Sequence, residues 1–183
     1  YISEWNLDWI SNDIISFNNN ASYAAGGYLY LFNIKTKAFD KILGPLNGLV
    51  SKVSPSASKV IYSLQNDGAI ETRFYNIKKG DVYKIPESTI AEKCVWAQDD
   101  KTVYCAIPSS IIGAKFPDNW YTGESGFNDS LVKIDTELQK TKTVLDSSDS
   151  PTSFDMINLQ ISPKQDVLYF VNKKDLKLWS IEI

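Results

Sequence analysis

Val53-Ser-Pro-Ser-Ala-Ser-Lys-Val-Ile-Tyr62, Trp96-Ala-Gln-Asp-Asp-Lys-Thr-Val-Tyr-Cys105 and Ile161-Ser-Pro-Lys-Gln-Asp-Val-Leu-Tyr-Phe170 are three copies of one pattern. Each opens on an apolar residue, passes through a polar tetrad suited to a turn, and continues as a β-branched and aromatic strand. A shorter copy runs from Trp9 to Phe17. A further strand ending in isoleucine follows each copy, at Ile34, Ile77, Ile134 and Ile181. After three of these come a polar turn and a fourth strand, Ala38 to Leu43, Asp81 to Ile85 and Thr141 to Leu145.

Spacing turns this pattern into a fold. The openers at 9, 53, 96 and 161 lie 44, 43 and 65 residues apart. A period near 43 with four strands per unit describes a β-propeller blade. Helical periodicity is missing, which excludes a helical solenoid, and the regular spacing favours a propeller over an antiparallel sandwich. The expected fold is all-β, with four-stranded antiparallel blades at about 4–47, 48–90, 91–155 and 156–183, the last lacking its outer strand. Antiparallel hairpins are expected at 4–17, 48–63, 91–106 and 156–171. Tyr62, Phe170, Trp179, Ile34, Ile77, Ile134 and Ile181 are expected between blades. Tyr1-Ile-Ser are too few for a strand.

Composition removes several chemistries. The 183 residues contain no histidine, so a histidine-activated serine or cysteine nucleophile and histidine zinc sites are excluded within this chain. Two cysteines cannot complete a structural zinc site. Gly123-Glu-Ser-Gly126 lacks the spacing of a nucleophile elbow, and no glycine-rich phosphate loop appears. No cofactor is expected, and the chain reads as non-catalytic. A net charge of −3 with scattered lysines argues against nucleic acid as a partner. No apolar run approaches the ~20 residues of a membrane span.

Ser54-Pro55 and Ser162-Pro163, each opening a turn before a Tyr-containing strand, resemble the Ser-Pro-Asp-Gly turns of TolB-like propellers. The Asp-Gly pair of that motif reads here Ser56-Ala57, Asp99-Asp100 and Lys164-Gln165. True WD repeats, with their Gly-His pair, are not matched. The resemblance implies either a periplasmic or extracellular scaffold of the cell envelope or the substrate-gating propeller of a prolyl-oligopeptidase-type or tricorn-type peptidase. It carries no functional residues. Such propellers usually have six or more blades. A fragment of a longer propeller is therefore preferred over a ring completed by a homodimer, or a small four-bladed disc.

The third unit is longer than the others, and most of its excess falls between its second and third strands, at 108–128. That loop shares a face with the blade-to-blade connections, where propellers bind partners. Phe116, Asp118, Trp120, Tyr121 and Phe127 in it are the candidate ligand- or partner-binding residues, because aromatic side chains dominate recognition surfaces. Trp120 and Tyr121 are expected to reach solvent; the rival arrangement folds the rings onto the blade as a lid. Asp146, Asp149 and Asp155 with Asp118, Glu124 or Asp129 offer oxygens for Ca²⁺, but a solvated acidic loop is preferred and no metal site is assigned. Asn20-Ala-Ser22 and Asn128-Asp-Ser130 fit the glycosylation tripeptide. Cys94 and Cys105 face each other if a two-residue turn is centred between 99 and 100, on a hydrogen-bonded pair of positions. Bridge and buried free thiols stay open alternatives.

Overall fold

The computed structural model describes residues 4–113 and 115–183; Tyr1, Ile2 and Ser3, and Ala114 of the long loop, lie outside them. Four antiparallel sheets follow one another as propeller blades. Blade 1 holds β1–β4 (Trp5–Trp9, Ile14–Asn19, Gly26–Asn33, Phe39–Asn47) and blade 2 holds β5–β8 (Val50–Val53, Lys59–Asn66, Ala69–Asn76, Val82–Lys84). Blade 3 holds β9–β12 (Cys94–Trp96, Thr102–Pro108, Asp129–Asp135, Lys140–Leu145). Blade 4 has three strands, β13–β15 (Met156–Ile161, Val167–Asn172, Leu178–Glu182). Strands pair in sequence order, so every blade is a meander.

The pairing registers verify the first row of the repeat. Trp9 faces Ile15, Val53 faces Val60, Trp96 faces Val103 and Ile161 faces Leu168. The four openers therefore occupy one structural position. The isoleucine row needs correction. Ile134 and Ile181 lie opposite Val103 and Leu168, where the first two blades carry Phe32 and Tyr75. Ile34 and Ile77 sit two residues further along, donating to Asp13 O and Ser58 O, as Thr136 and Ile183 do to Lys101 O and Asp166 O. Residue type alone does not fix register, because an even slip keeps the same face. Of the residues expected between blades, Ile134, Tyr62 and Phe170 are buried, whereas Ile34, Ile77, Trp179 and Ile181 are half-buried.

In the turns that replace Ser-Pro-Asp-Gly, the glycine position is left-handed: Ala57, Asp100 and Gln165 have φ of 55, 57 and 62°. Side chains disfavour that region, yet two of the three gain a bond from it. Asp100 accepts from Ser56 N at 3.0 Å, and Gln165 Oε1 accepts from Gln98 N at 3.0 Å. Each turn thus reaches back to the turn of the preceding blade.

Three apolar junctions hold the blades together. Leu29 and Leu31 of blade 1 meet Val60, Tyr62 and Leu64 of blade 2. Ile61, Phe74 and Ile85 of blade 2 meet Trp96, Val103 and Ile134 of blade 3. Tyr104, Ala106 and Leu131 meet Met156, Leu168 and Phe170 of blade 4. Removing one such fully buried aliphatic side chain costs about 2–5 kcal/mol.

Cys94 and Cys105 form a disulfide with their Cα atoms 4.1 Å apart. They do face each other, but the turn differs from the expected one. Ala97 N donates to Thr102 O, so the loop is the four residues 98–101. Hydrogen-bonded pairs alternate along an antiparallel ladder, so the longer loop puts the cysteines on a non-hydrogen-bonded pair, where side chains sit closest.

Candidate binding face above the axial groove

The loop 109–128 leaves β10 at Pro108 and re-enters the sheet at Asp129, with a single helical turn, α1 (Asp118–Tyr121), at its far end. It crosses three blades. Phe116, Trp120 and Phe127 pack on Ile70 and Ile90 of blade 2. Asp118 accepts from Ser22 Oγ at 3.0 Å and Tyr23 N at 2.7 Å in blade 1. Gly48, between blades 1 and 2, allows the close approach: its φ is +64°, and a Cβ there would meet Phe116 O at 2.9 Å.

A buried lysine organises the underside of this loop. Lys93 ends the 3₁₀ turn Ala91–Lys93 that precedes β9 and is 0% exposed. Its ammonium pairs with Asp129 at 2.8 Å and with Asp155, and lies 5.0 Å from the ring centroids of Trp120 and Phe127. Asp155 also accepts from Trp120 Nε1 at 3.1 Å and Phe127 N at 3.2 Å. Asp129 accepts from Met156 N at 2.7 Å; burial pushes its carboxyl up, against the pull of Lys93. Lys173, lowered by its own burial, donates to Trp120 O and stands 4.0 Å above the Trp120 ring.

The candidate residues therefore divide. Phe116, Trp120 and Phe127 are 2, 2 and 3% exposed, which corrects the expectation that Trp120 reaches solvent. An ammonium removed from water needs carboxylates and ring faces around it, and these rings are drawn inward to supply them. Tyr121 is 45% exposed and donates to Glu92 Oε2 at 2.8 Å. Asp118 is engaged with blade 1. The acidic residues do not gather either: Asp146 and Asp149 lie in an exposed turn, Glu124 accepts from Asn119, and Asp129 and Asp155 hold Lys93. The preferred solvated acidic loop thus fails for Asp155 and Asp129, both buried. Among the described residues no group of three acidic or sulfur side chains is placed to hold a metal. Lys93 was missed, because nothing in Ala91-Glu-Lys-Cys94 separates it from a surface lysine.

Tyr121 and Glu92 stand where the innermost strands converge on the propeller axis. A cavity of about 440 Å³ there is lined by Asn6, Asp8, Asn18, Ser51, Lys52, Glu92 and Tyr121, among others. A second, of about 370 Å³, continues along β1, β5, β9 and β13, past Trp9, Pro55, Val95 and Leu159. Lys52 and Asp8 pair across it at 3.3 Å and are both partly exposed. Both parts of the groove mix polar and apolar side chains and share Asp8, Lys52 and Glu92; a few placed polar groups among apolar ones orient a ligand.

With four meander blades, inner-strand groove and loop face in place, the solved structures speak to one fold. The chain has the fold of TolB-like β-propellers. TolB from Acinetobacter baumannii matches 93% of this chain and 38% of its own, at 14% identity and a TM-score of 0.61. A putative TolB from Agrobacterium tumefaciens matches 93% and 58%, at 11% identity and 0.62. The β-propeller domain of the Trilobed protease from Pyrococcus furiosus matches 99% of this chain and 56% of that domain, at 10% identity and 0.55. The chain thus spans well under two thirds of each. No protein-family model and no curated protein matches the sequence. Among the described residues no helix is long and apolar enough to cross a membrane.

Proposed function

We propose that this propeller is a non-catalytic binding module of the cell envelope, which takes a protein segment or other ligand at the mouth of the axial groove. The observation that carries it is the division within the long loop. Three rings are spent internally to fix the loop, and the fixed loop presents Tyr121, bonded to Glu92 of the 3₁₀ turn, at the rim beside Asp8 and Lys52. A rigid rim with one exposed aromatic and mixed charges suits recognition of an extended polar segment. The Cys94–Cys105 bridge supports an oxidising compartment, periplasmic or extracellular.

The test is selection of random dodecapeptides on the wild-type chain, followed by affinity measurement on a Tyr121→Ala/Glu92→Ala variant. Binders should weaken on the variant by about tenfold or more, since loss of an aromatic anchor costs at least ~1.4 kcal/mol. Binders that hold equally to both would refute the site. The second function, the propeller part of a larger hydrolase, is favoured by the likeness to a protease propeller domain. A serine-hydrolase segment in the complete coding sequence would decide for it.

A further inference from the structure

Lys93 and Asp155 stand immediately before β9 and β13, the innermost strands of adjacent blades, with a sequence separation of 62. Their side chains are 0 and 2% exposed. Hydrogen bonds fix both backbones. Lys93 N donates to Ile90 O at 2.8 Å, and Asp155 accepts from Lys173 N at 2.8 Å while donating to Asn172 Oδ1 at 3.0 Å. Lys93 Nζ therefore rests against an oxygen of Asp155, one bond from the carboxyl carbon. Asp129 Oδ2 lies 2.8 Å from the same nitrogen, and the buried rings of Trp120 and Phe127 cover it. One ammonium facing two ionised carboxylates would leave a net buried charge, which is costly. Asp129 is the carboxyl placed to hold a proton. Burial pushes it up, and its Oδ1 is buried with no hydrogen-bond partner among the described residues.

We propose that Lys93 and Asp155 join spontaneously through an intramolecular amide bond, with Asp129 as the catalytic acid and base. The ammonium first passes a proton to Asp155, giving a neutral amine and a carboxyl, the forms favoured where charge is desolvated. Nζ then attacks Asp155 Cγ; the N–C bond forms and the carbonyl oxygen takes up the electron pair. Trp120 Nε1, 3.1 Å from both carboxyl oxygens, and Phe127 N, 3.2 Å from Oδ2, are the donors that hold this oxyanion. Asp129 gives its proton to the departing hydroxyl and takes one from Nζ. The C–O bond breaks, one water leaves, and Asp129 ends as it began. In sum an ammonium and a carboxylate become an amide and water, and no oxidant or activating group is consumed. Fixed contact replaces the encounter that this reaction needs in solution, and exclusion of water favours condensation over hydrolysis. The product is uncharged, so the cost of burying the ion pair disappears. The bond ties the entry of blade 3 to that of blade 4 beneath the long loop, and it is independent of what the groove binds.

Intact mass measurement of the purified chain, denatured and with Cys94 and Cys105 reduced, tests it. The mass should fall below that of the sequence by one water molecule. A proteolytic digest should contain one branched peptide joining the segment around Lys93 to the segment around Asp155. Asp155→Ala should carry the full mass of its own sequence and lack the branched peptide. Folded Asp129→Asn, which keeps the shape of the side chain but cannot relay the proton, should do the same. A wild-type chain that is folded by circular dichroism and has its full sequence mass would reduce the site to an ion pair and overturn the proposal. A loss of water that persists in Asp155→Ala would place the loss elsewhere and overturn it equally. Wild-type mass and branched peptide decide the matter even where a variant fails to fold.

Discussion

The long loop of blade 3 and the outer face of blade 1 are both rich in aromatic side chains, and they end in opposite states. In the loop, whose only regular element among the described residues is the helical turn α1, Phe116, Trp120 and Phe127 are buried. On blade 1, regular strands with strict alternation leave Leu7, Trp9 and Phe39 open. Secondary structure did not decide which rings were covered; the available partners did. The loop rings have a buried ammonium and its two carboxylates to enclose, whereas among the described residues the blade 1 rings meet only one another.

Removing the ammonium should break the comparison most severely. Lys93→Met keeps the side-chain volume but leaves Asp129 and Asp155 buried without a counter-charge, and should cost about 3–5 kcal/mol in urea denaturation. A loss below about 1 kcal/mol would show that the loop rings are held by apolar packing alone. Cys94→Ala/Cys105→Ala opens the hairpin adjoining Lys93, and should cost about 2–4 kcal/mol under oxidising conditions.

An intermediate environment sharpens the contrast. Glu71, partly buried in blade 2, is held down to about 2 from an ordinary 4.5 by hydrogen bonds from Asn66 first and Arg73 next, with Lys84 adding to them. A depressed carboxylate stabilises the fold above its unfolded value and loses that contribution as pH falls through the folded one. Stability should therefore decline between pH 4.5 and about 2, and Glu71→Gln should flatten that decline in an acid titration followed by circular dichroism. A decline of unchanged size in the variant would assign it to other carboxylates.

The smallest effects lie where nothing is enclosed. Ala57 holds a left-handed φ of 55° without an inter-blade bond of the kind that Asp100 and Gln165 make. Ala57→Gly should stabilise by about 0.5–1 kcal/mol, and Asp100→Gly should not, because it forfeits the bond to Ser56. In the 183-residue chain Trp9→Ser should change stability by no more than about 0.5 kcal/mol, as an exposed substitution does.

Much of the architecture was legible because propeller blades repeat their physics. Alternation, turn residues and a constant period located the openers at Trp9, Val53, Trp96 and Ile161, and pairing confirmed them. The isoleucine row misled by two residues, since strands of different length can all end in isoleucine. The long loop was legible as an insertion on the loop face. Its interior was not, because burial of Trp120 depends on Lys93, Asp129 and Asp155, which lie 27, 9 and 35 residues from it in sequence and meet around it only in three dimensions. Cys94 and Cys105 were correctly opposed, although an even-numbered loop of four residues gives the same opposition as one of two, with the hydrogen-bonding alternation reversed.

The backward-reaching turns carry a consequence for assembly. Asp100 bonds to the turn of blade 2 and Gln165 to that of blade 3, so at this rim each turn is tied to its neighbour, while the long loop of blade 3 reaches past blade 2 to blade 1 at the other rim. Such a row of turns is a one-dimensional chain of nearest-neighbour couplings, in which the angular step between units is set locally. A unit could then be duplicated or deleted at the end of the series with the remaining steps unchanged, and the number of blades becomes a property of gene length more than of ring geometry.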